Sequence, residues 1–102
     1  MLKKYQEITE ARTILGLPET ASLKTVKSAY RTMLAKWHPD TCRSHPETCA
    51  EMTRKIVAAY KTITEYCANY RFSFSEQAVG ENLTPEELWR ERFGDDPLWG
   101  RG

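Results

Sequence analysis

The sequence has no hydrophobic run long enough to cross a lipid bilayer, which takes about 20 apolar residues. Its longest apolar run, Ile-Val-Ala-Ala-Tyr at residues 56–60, has the length of a segment inside a helix. Charged residues precede any apolar segment at the amino terminus, so no secretory signal is visible. We therefore expect a protein of one modest hydrophobic core that has no membrane partner.

Cysteines are few and odd in number, which, without a signal, indicates reduced thiols and a cytoplasmic location. Cys42, His45 and Cys49 lie close together, but a zinc site usually needs four ligands. The third cysteine, Cys67, would lie about 27 Å from Cys49 along a helix. We therefore predict no metal site and interpret Cys49 and Cys67 as small core residues. Cys42 is a loop thiol and, next to Arg43, the candidate for reactivity.

Neither sign of charge dominates, because the net charge is only +1. Residues 1–72 nevertheless carry twelve Lys/Arg and seven Asp/Glu, a net charge of +5. Residues 73–102 carry three Lys/Arg and seven Asp/Glu, a net charge of −4. The two parts therefore differ in kind, and the basic part is the better candidate for a binding surface.

Apolar residues recur at helical spacing through most of the chain, which predicts an all-α fold. We expect helices at about residues 4–15, 23–37, 46–70 and 85–93, with residues 73–82 as a linker. Gly16 and Pro39 end the first two helices. Ser44 with Glu47 suggests a capping box for the third. The short loop between the two longest helices implies an antiparallel hairpin, with the first helix packed across it.

Four strings within this pattern stand out together: Ile-Leu-Gly-Leu at 14–17, Val-Lys-Ser-Ala-Tyr-Arg at 26–31, Met-Leu-Ala-Lys-Trp-His-Pro-Asp at 33–40 and Ile-Val-Ala-Ala-Tyr-Lys-Thr-Ile at 56–63. A His-Pro-Asp tripeptide alone means little. At the end of a basic amphipathic helix, and followed by the last string, it is specific. Over about residues 8–70 the sequence resembles the J-domain family. The resemblance implies residues 1–72 as a J domain and residues 73–102 as a tail.

The resemblance also implies a function. Proteins of this family bind a DnaK-type ATPase chaperone where its nucleotide domain meets the interdomain linker, and they promote ATP hydrolysis. They are not enzymes themselves, so no catalytic residue and no cofactor is expected. The partner-binding residues that the resemblance implies are the tip His38, Pro39 and Asp40 and the residues that form or flank the basic surface, Lys27, Tyr30, Arg31 and Lys36. Helical spacing places Lys24 on the same face as Lys27 and Arg31, so we include it in the basic surface.

Three positions depart from the family pattern. Thr53 stands where an aromatic residue often begins the signature of the third helix, and Arg12 stands where a tyrosine is common. Both changes concern packing. Thr32 replaces a commonly basic residue after Arg31, so it thins the basic surface.

The tail is short but rich in large apolar residues, among them Leu88, Trp89, Phe93 and Trp99. One interpretation is that this segment docks on the helical hairpin, assisted by the opposite charges of the two parts. The other is that it anchors a partner such as a client protein, since tryptophan is enriched in binding hot spots. The first is the simpler one.

Two other functions compete with the co-chaperone. A nucleic-acid-binding helical module would use Lys24, Lys27 and Arg31, but the net charge is low and no base-reading helix is evident. An adaptor would keep the fold without stimulating an ATPase, and the intact His38-Pro39-Asp40 argues against it.

Overall fold

A computed structural model describes residues 2–94 of the chain. Within those residues there are five helices and no strand: α1 (Lys3–Leu15), α2 (Leu23–Trp37), α3 (Pro46–Ala68), α4 (Glu76–Glu81) and α5 (Pro85–Phe93). The all-α prediction is confirmed. None of these helices combines the length and the hydrophobicity that a bilayer crossing requires.

Helix α1 ends at a left-handed glycine. Gly16 has φ 69° and ψ 32°, a conformation that costs a residue with a Cβ more than it costs glycine. The N–H of Leu17 then donates to the carbonyl of Arg12 at 3.0 Å, and the Leu17 side chain is buried. Arg12 closes the same turn, because its Nη1 donates to the Leu17 carbonyl at 2.8 Å. The arginine that departs from the family pattern therefore stabilises the turn that follows α1.

Helix α2 has the bounds that the sequence predicts. Its N-cap is Ser22, whose hydroxyl accepts from the N–H of Thr25 at 3.2 Å. It ends at Trp37, and His38 follows in an extended conformation with φ −63° and ψ 139°. Pro39 explains this ending, because a proline disfavours the helical conformation in the residue before it.

Helix α3 begins one residue later than a capping box at Ser44 would require. Its N-cap is His45, which makes no side-chain capping bond, and Pro46 is the first helical residue. The predicted box between Ser44 and Glu47 is therefore wrong. Because Pro46 occupies the first helical position, Ser44 lies outside the helix by one residue. Helix α3 also ends at Ala68, before the predicted Tyr70.

Helices α2 and α3 form an antiparallel hairpin, and α3 also packs against α1. Thr53 contacts Trp37, whereas Tyr60 contacts Tyr30, so position rises along α3 as it falls along α2. The buried core lies between the three helices and consists of Ala11, Leu15, Leu17, Val26, Ile56, Ala59 and Ile63. Trp37 and Tyr60 pack against it.

The described chain divides into two compact units after Tyr70. The second unit contains α4 and α5. The prediction of a linker over residues 73–82 is wrong, because Glu76–Glu81 is helical and the Ser75 hydroxyl caps it by accepting from the Ala78 N–H. Helix α5 has the predicted bounds.

Candidate partner-binding site

The three residues His38, Pro39 and Asp40, called the tip from here on, lie directly after the last residue of α2. All three are exposed. The side chain of His38 is 53% exposed and that of Asp40 is 91% exposed. The helix end therefore presents an imidazole and a carboxylate to solvent on one short segment.

A tight turn holds the tip. The N–H groups of Thr41 and Cys42 both donate to the carbonyl of His38, each at 2.9 Å. The N–H of Asp40 donates to Nδ1 of His38 at 3.1 Å. The same Nδ1 lies 3.6 Å from a carboxylate oxygen of Asp40, a contact that would need a protonated ring. In the shorter backbone bond Nδ1 is the acceptor, so Nε2 is the ring nitrogen that can donate to a partner.

Thr53 of α3 hydrogen-bonds to the end of α2 and so joins the two helices near the tip. Its hydroxyl lies 3.0 Å from the carbonyl of Trp37 and 2.8 Å from that of Cys49. A hydroxyl has one proton, so the two carbonyls share it. The Trp37 carbonyl is one of the last four of the helix, which have no partner within it. The residue that departs from the family pattern therefore positions the tip.

Cys42 and Cys49 form a disulfide, with their Cα atoms 6.2 Å apart. The expectation of three reduced thiols, with Cys42 as a free loop thiol, is therefore wrong, and Cys67 is the one free cysteine among residues 2–94. The turn after the tip brings Cys42 back to the first turn of α3, within the Cα separation that disulfides show. A cytoplasmic location therefore no longer follows from the cysteines. Cys49 is fully buried, as expected of a core residue.

Lys24, Lys27 and Arg31 form the basic face of α2. They lie three or four residues apart and are all exposed. No acidic side chain pairs with them among residues 2–94. Their charges are therefore available to an acidic partner.

The other two residues of the predicted basic surface make contacts within the hairpin. The ammonium of Lys36 lies 5.7 Å from the centroid of the Trp37 ring, so it rests beside the base of the tip. Tyr30 stacks on Tyr60 with ring centroids 3.8 Å apart, and it is half-buried. The ring of Tyr30 thus joins α2 to α3 as well as bordering the basic face.

Comparison with known proteins identifies the hairpin. A family model described as "DnaJ domain" matches residues 10–67, more than half of the chain. The chain belongs to the DnaJ domain family. The matched residues run from the second half of α1 to the end of α3, so they include the basic face and the tip.

Several curated proteins are similar to this chain. "Chaperone protein DnaJ 2" of Aquifex aeolicus (strain VF5) is 42% identical over 52 residues, which are 51% of this chain and 13% of that protein. "DnaJ-like protein MG002 homolog" of Mycoplasma pneumoniae is 33% identical over 81% of this chain and 27% of its own length. "DnaJ homolog subfamily B member 3" of Mus musculus is 33% identical over 83% of this chain and 43% of its own length. The chain thus spans less than half of each, and no solved structure matches it.

Helix α5 lies outside the J-domain match. Leu88, Trp89 and Phe93 are 39%, 54% and 45% exposed, and the rings of the last two lie 5.4 Å apart. Trp99, also predicted as a contact residue, lies outside the described residues. The Thr84 N–H donates to the Glu87 carboxylate at 3.0 Å, and this bond, with the Thr84 side chain, lowers the pKa of Glu87.

Two features of the J domain were missed from the sequence. From the sequence, Cys42 is interpreted as a free loop thiol and Cys49 as a core residue, although a spacing of seven residues across the start of a helix is compatible with a disulfide. The bond from Thr53 to the Trp37 carbonyl was harder to predict, because its only sign in the sequence is a threonine where the family often has an aromatic residue.

Among the described residues, no group of three or more His, Cys, Asp and Glu side chains is arranged to hold a metal ion.

Proposed function

We propose that this J domain is a co-chaperone that binds a DnaK-type chaperone and stimulates its ATP hydrolysis. The observation that carries the proposal is the exposed tip at the end of α2, held by the His38 turn and by Thr53. The family match and the chaperone names of the relatives support the same role. The J domain supplies contacts and no chemistry of its own.

Each residue of the tip contributes a different property. The Asp40 carboxylate, 91% exposed, can accept two hydrogen bonds from a partner arginine. The Nε2–H of His38 can donate one. Pro39 restricts the backbone, so the tip loses little conformational entropy when it docks.

The basic face contributes attraction at longer range. Lys24, Lys27 and Arg31 have no intramolecular ion pair within residues 2–94 to give up. Exposed charges of this kind mainly speed encounter and set orientation, and they act less strongly in high salt. We propose that this face meets an acidic surface of the DnaK-type partner, with Lys36 at the edge nearest the tip.

We also propose that the two parts of the chain have different functions. Residues 1–72 act as the J domain, and residues 73–102 act as an acidic tail that directs the chaperone to a client protein. The exposed Leu88, Trp89 and Phe93 support a contact role for the tail. Docking of the tail on the J domain stays a prediction, in which the tail would cover the basic face.

The decisive experiment is steady-state ATP hydrolysis by a DnaK-type chaperone with the wild type and with His38→Gln and Asp40→Asn. Each variant should lose stimulation by about tenfold or more, as expected when one partner of a desolvated polar contact is removed. Glu19→Gln, which removes one exposed carboxylate elsewhere, is the matched control and should stimulate like the wild type. Equal stimulation by Asp40→Asn and Glu19→Gln would contradict the proposal.

Further arms of this experiment separate the alternatives. Arg31→Glu should raise the concentration needed for stimulation, and the difference from the wild type should shrink in high salt. Arg54→Glu reverses an exposed charge on α3 and controls for net charge. Removing residues 73–102 should leave stimulation unchanged if the tail binds clients, and raise it if the tail covers the basic face. Retarded nucleic acid at moderate salt would favour the nucleic-acid-binding module instead.

A further inference from the structure

The paired cysteines take no part in the partner contacts described above, yet they lie beside the tip. Cys42 is partly exposed, whereas Cys49 has no exposed surface. Their separation in sequence is seven residues, so the disulfide closes a small loop between the tip and α3. Cys67, the free cysteine, lies near the other end of α3.

Cys42 belongs to the same hydrogen-bonded turn as the tip. Its N–H donates to the carbonyl of His38 at 2.9 Å, and the Nε of Arg43 donates to the carbonyl of Asp40 at 3.2 Å. At the other end of the disulfide, Cys49 lies in the first turn of α3 and is fully buried. The disulfide therefore links the turn that contains the tip to a buried residue in the first turn of α3.

We propose that Cys42 and Cys49 are a site of reversible thiol–disulfide modification that orders the tip when oxidised and loosens it when reduced. The functional half of the proposal rests on the co-chaperone function proposed above. The oxidant and the reductant belong to one chemical class, a low-molecular-weight disulfide and its thiol.

Oxidation proceeds by two exchange steps. The Cys42 thiolate attacks one sulfur of the small disulfide, forms a mixed disulfide and releases one small thiolate. The Cys49 thiolate then attacks the Cys42 sulfur and releases the second small thiolate. The two cysteines together lose two electrons and two protons, and the small disulfide becomes two thiols. Reduction is the reverse, and it begins with attack by a small thiolate on the Cys42 sulfur.

Cys42 is the residue that a small thiol or disulfide attacks first, because it is partly exposed and Cys49 is not. A small thiolate must reach the sulfur that it attacks, and Cys49 offers no exposed surface. Cys67 cannot substitute for Cys42, because about 27 Å of helix separates it from Cys49.

The expected consequence is a change in how strongly the tip binds. Without the disulfide, residues 41–45 lose the cross-link to Cys49, so docking must order more of the loop. Ordering of a loop or a side chain opposes association. We expect the reduced J domain to need on the order of fivefold more protein for half-maximal ATPase stimulation.

The chemical half is tested on the full chain equilibrated in buffers of reduced and oxidised glutathione, followed by alkylation, digestion and mass spectrometry. The oxidised chain should yield one alkylated cysteine, Cys67, and a peptide cross-linked between Cys42 and Cys49. The reduced chain should yield three alkylated cysteines. Alkylation of all three in oxidising buffer, or a cross-link that involves Cys67, would overturn the proposal.

The structural and functional halves use the same two states. Hydrogen exchange at the amides of residues 41 and 42 should be faster in the reduced chain than in the oxidised wild type. In oxidising buffer it should also be faster in Cys42→Ser, but not in Cys67→Ser. The ATPase midpoint should follow the same order. Equal exchange or equal midpoints in the two states would overturn the ordering role. Absence of stimulation in both states would instead contradict the co-chaperone function, while the cross-link and the exchange data would still decide the modification site.

Discussion

The two units of this protein are both helical, yet different forces hold their helices. In the J domain, buried residues of α1, α2 and α3 form a shared core, with Leu15 and Ile56 at most 2% exposed. In the second unit, no residue among 71–94 is buried. Both of its helices carry side-chain caps, from Ser75 for α4 and from Thr84 with Glu87 for α5, whereas only α2 does so in the J domain.

The difference shows how a short acidic segment becomes helical without a core. Helices of six and nine residues are too short to be stable by propensity alone. Caps satisfy the free N–H groups of the first turn, and each contributes about 1 kcal/mol. Burial of apolar side chains contributes more, about 1.5–3 kcal/mol for each large residue. The J domain should therefore respond to loss of packing, and α5 to loss of a cap.

The largest expected effect comes from removing packing in the J domain. Ile56→Ala deletes a fully buried side chain and should lower the free energy of unfolding by about 3 kcal/mol. Val57→Ala, at the neighbouring position that is 46% exposed, should change it by less than about 0.5 kcal/mol. Urea denaturation followed by circular dichroism measures both. Similar losses from the two variants would mean that α3 buries a different face.

A smaller effect distinguishes the units directly, because both contain a helix with a side-chain N-cap. Ser22→Ala removes the cap of α2 and should lower the stability of the J domain by about 1 kcal/mol. Thr84→Ala removes the cap of α5 and should lose a similar amount, but only locally. Hydrogen exchange should quicken around Glu87 in the second variant while the J-domain melting temperature stays unchanged. A fall in that melting temperature in Thr84→Ala would show that the units unfold together.

The smallest effect is a pH response of α5. Hydrogen bonds with Thr84 lower the pKa of Glu87 below its ordinary value of 4.5. A carboxyl with a lowered pKa in the folded state stabilises the helix above its unfolded pKa, and this contribution is lost as pH falls through the folded value. The Thr84 amide resonance should therefore titrate at a pH below 4.5. In Glu87→Gln the capping bond persists without a titrating group, so a Thr84 titration that survives this change would contradict the assignment.

Patterns within single helices were the most predictable features. The bounds of α2 and α5, the left-handed Gly16 and the extended His38 follow from local residues. Local patterns also failed at two places. The predicted Ser44–Glu47 capping box is absent, because Pro46 is the first residue of α3. Residues 73–82 were predicted as a linker because they are polar, yet they contain α4, which Ser75 caps.

In the candidate site, too, some features could be predicted from local sequence and others could not. The order of the basic face and the tip along α2 could be predicted, because helical spacing and a proline decide it. The bond from Thr53 to the Trp37 carbonyl could not, because the hairpin must form before these two residues meet. The Cys42–Cys49 pair could not either, because it depends on how the chain turns after the tip.

By itself, the sequence determined the helices, their apolar faces and the position of His38-Pro39-Asp40 after α2, since spacing, glycine and proline act over a few residues. Only the tertiary structure decided that Cys42 pairs with Cys49, that Thr53 holds the Trp37 carbonyl and that Tyr30 stacks on Tyr60. The cysteine pair depends on the turn that follows the tip, and the other two contacts depend on the register between α2 and α3. That register is set by the fit of many side chains in the core, which no local pattern encodes.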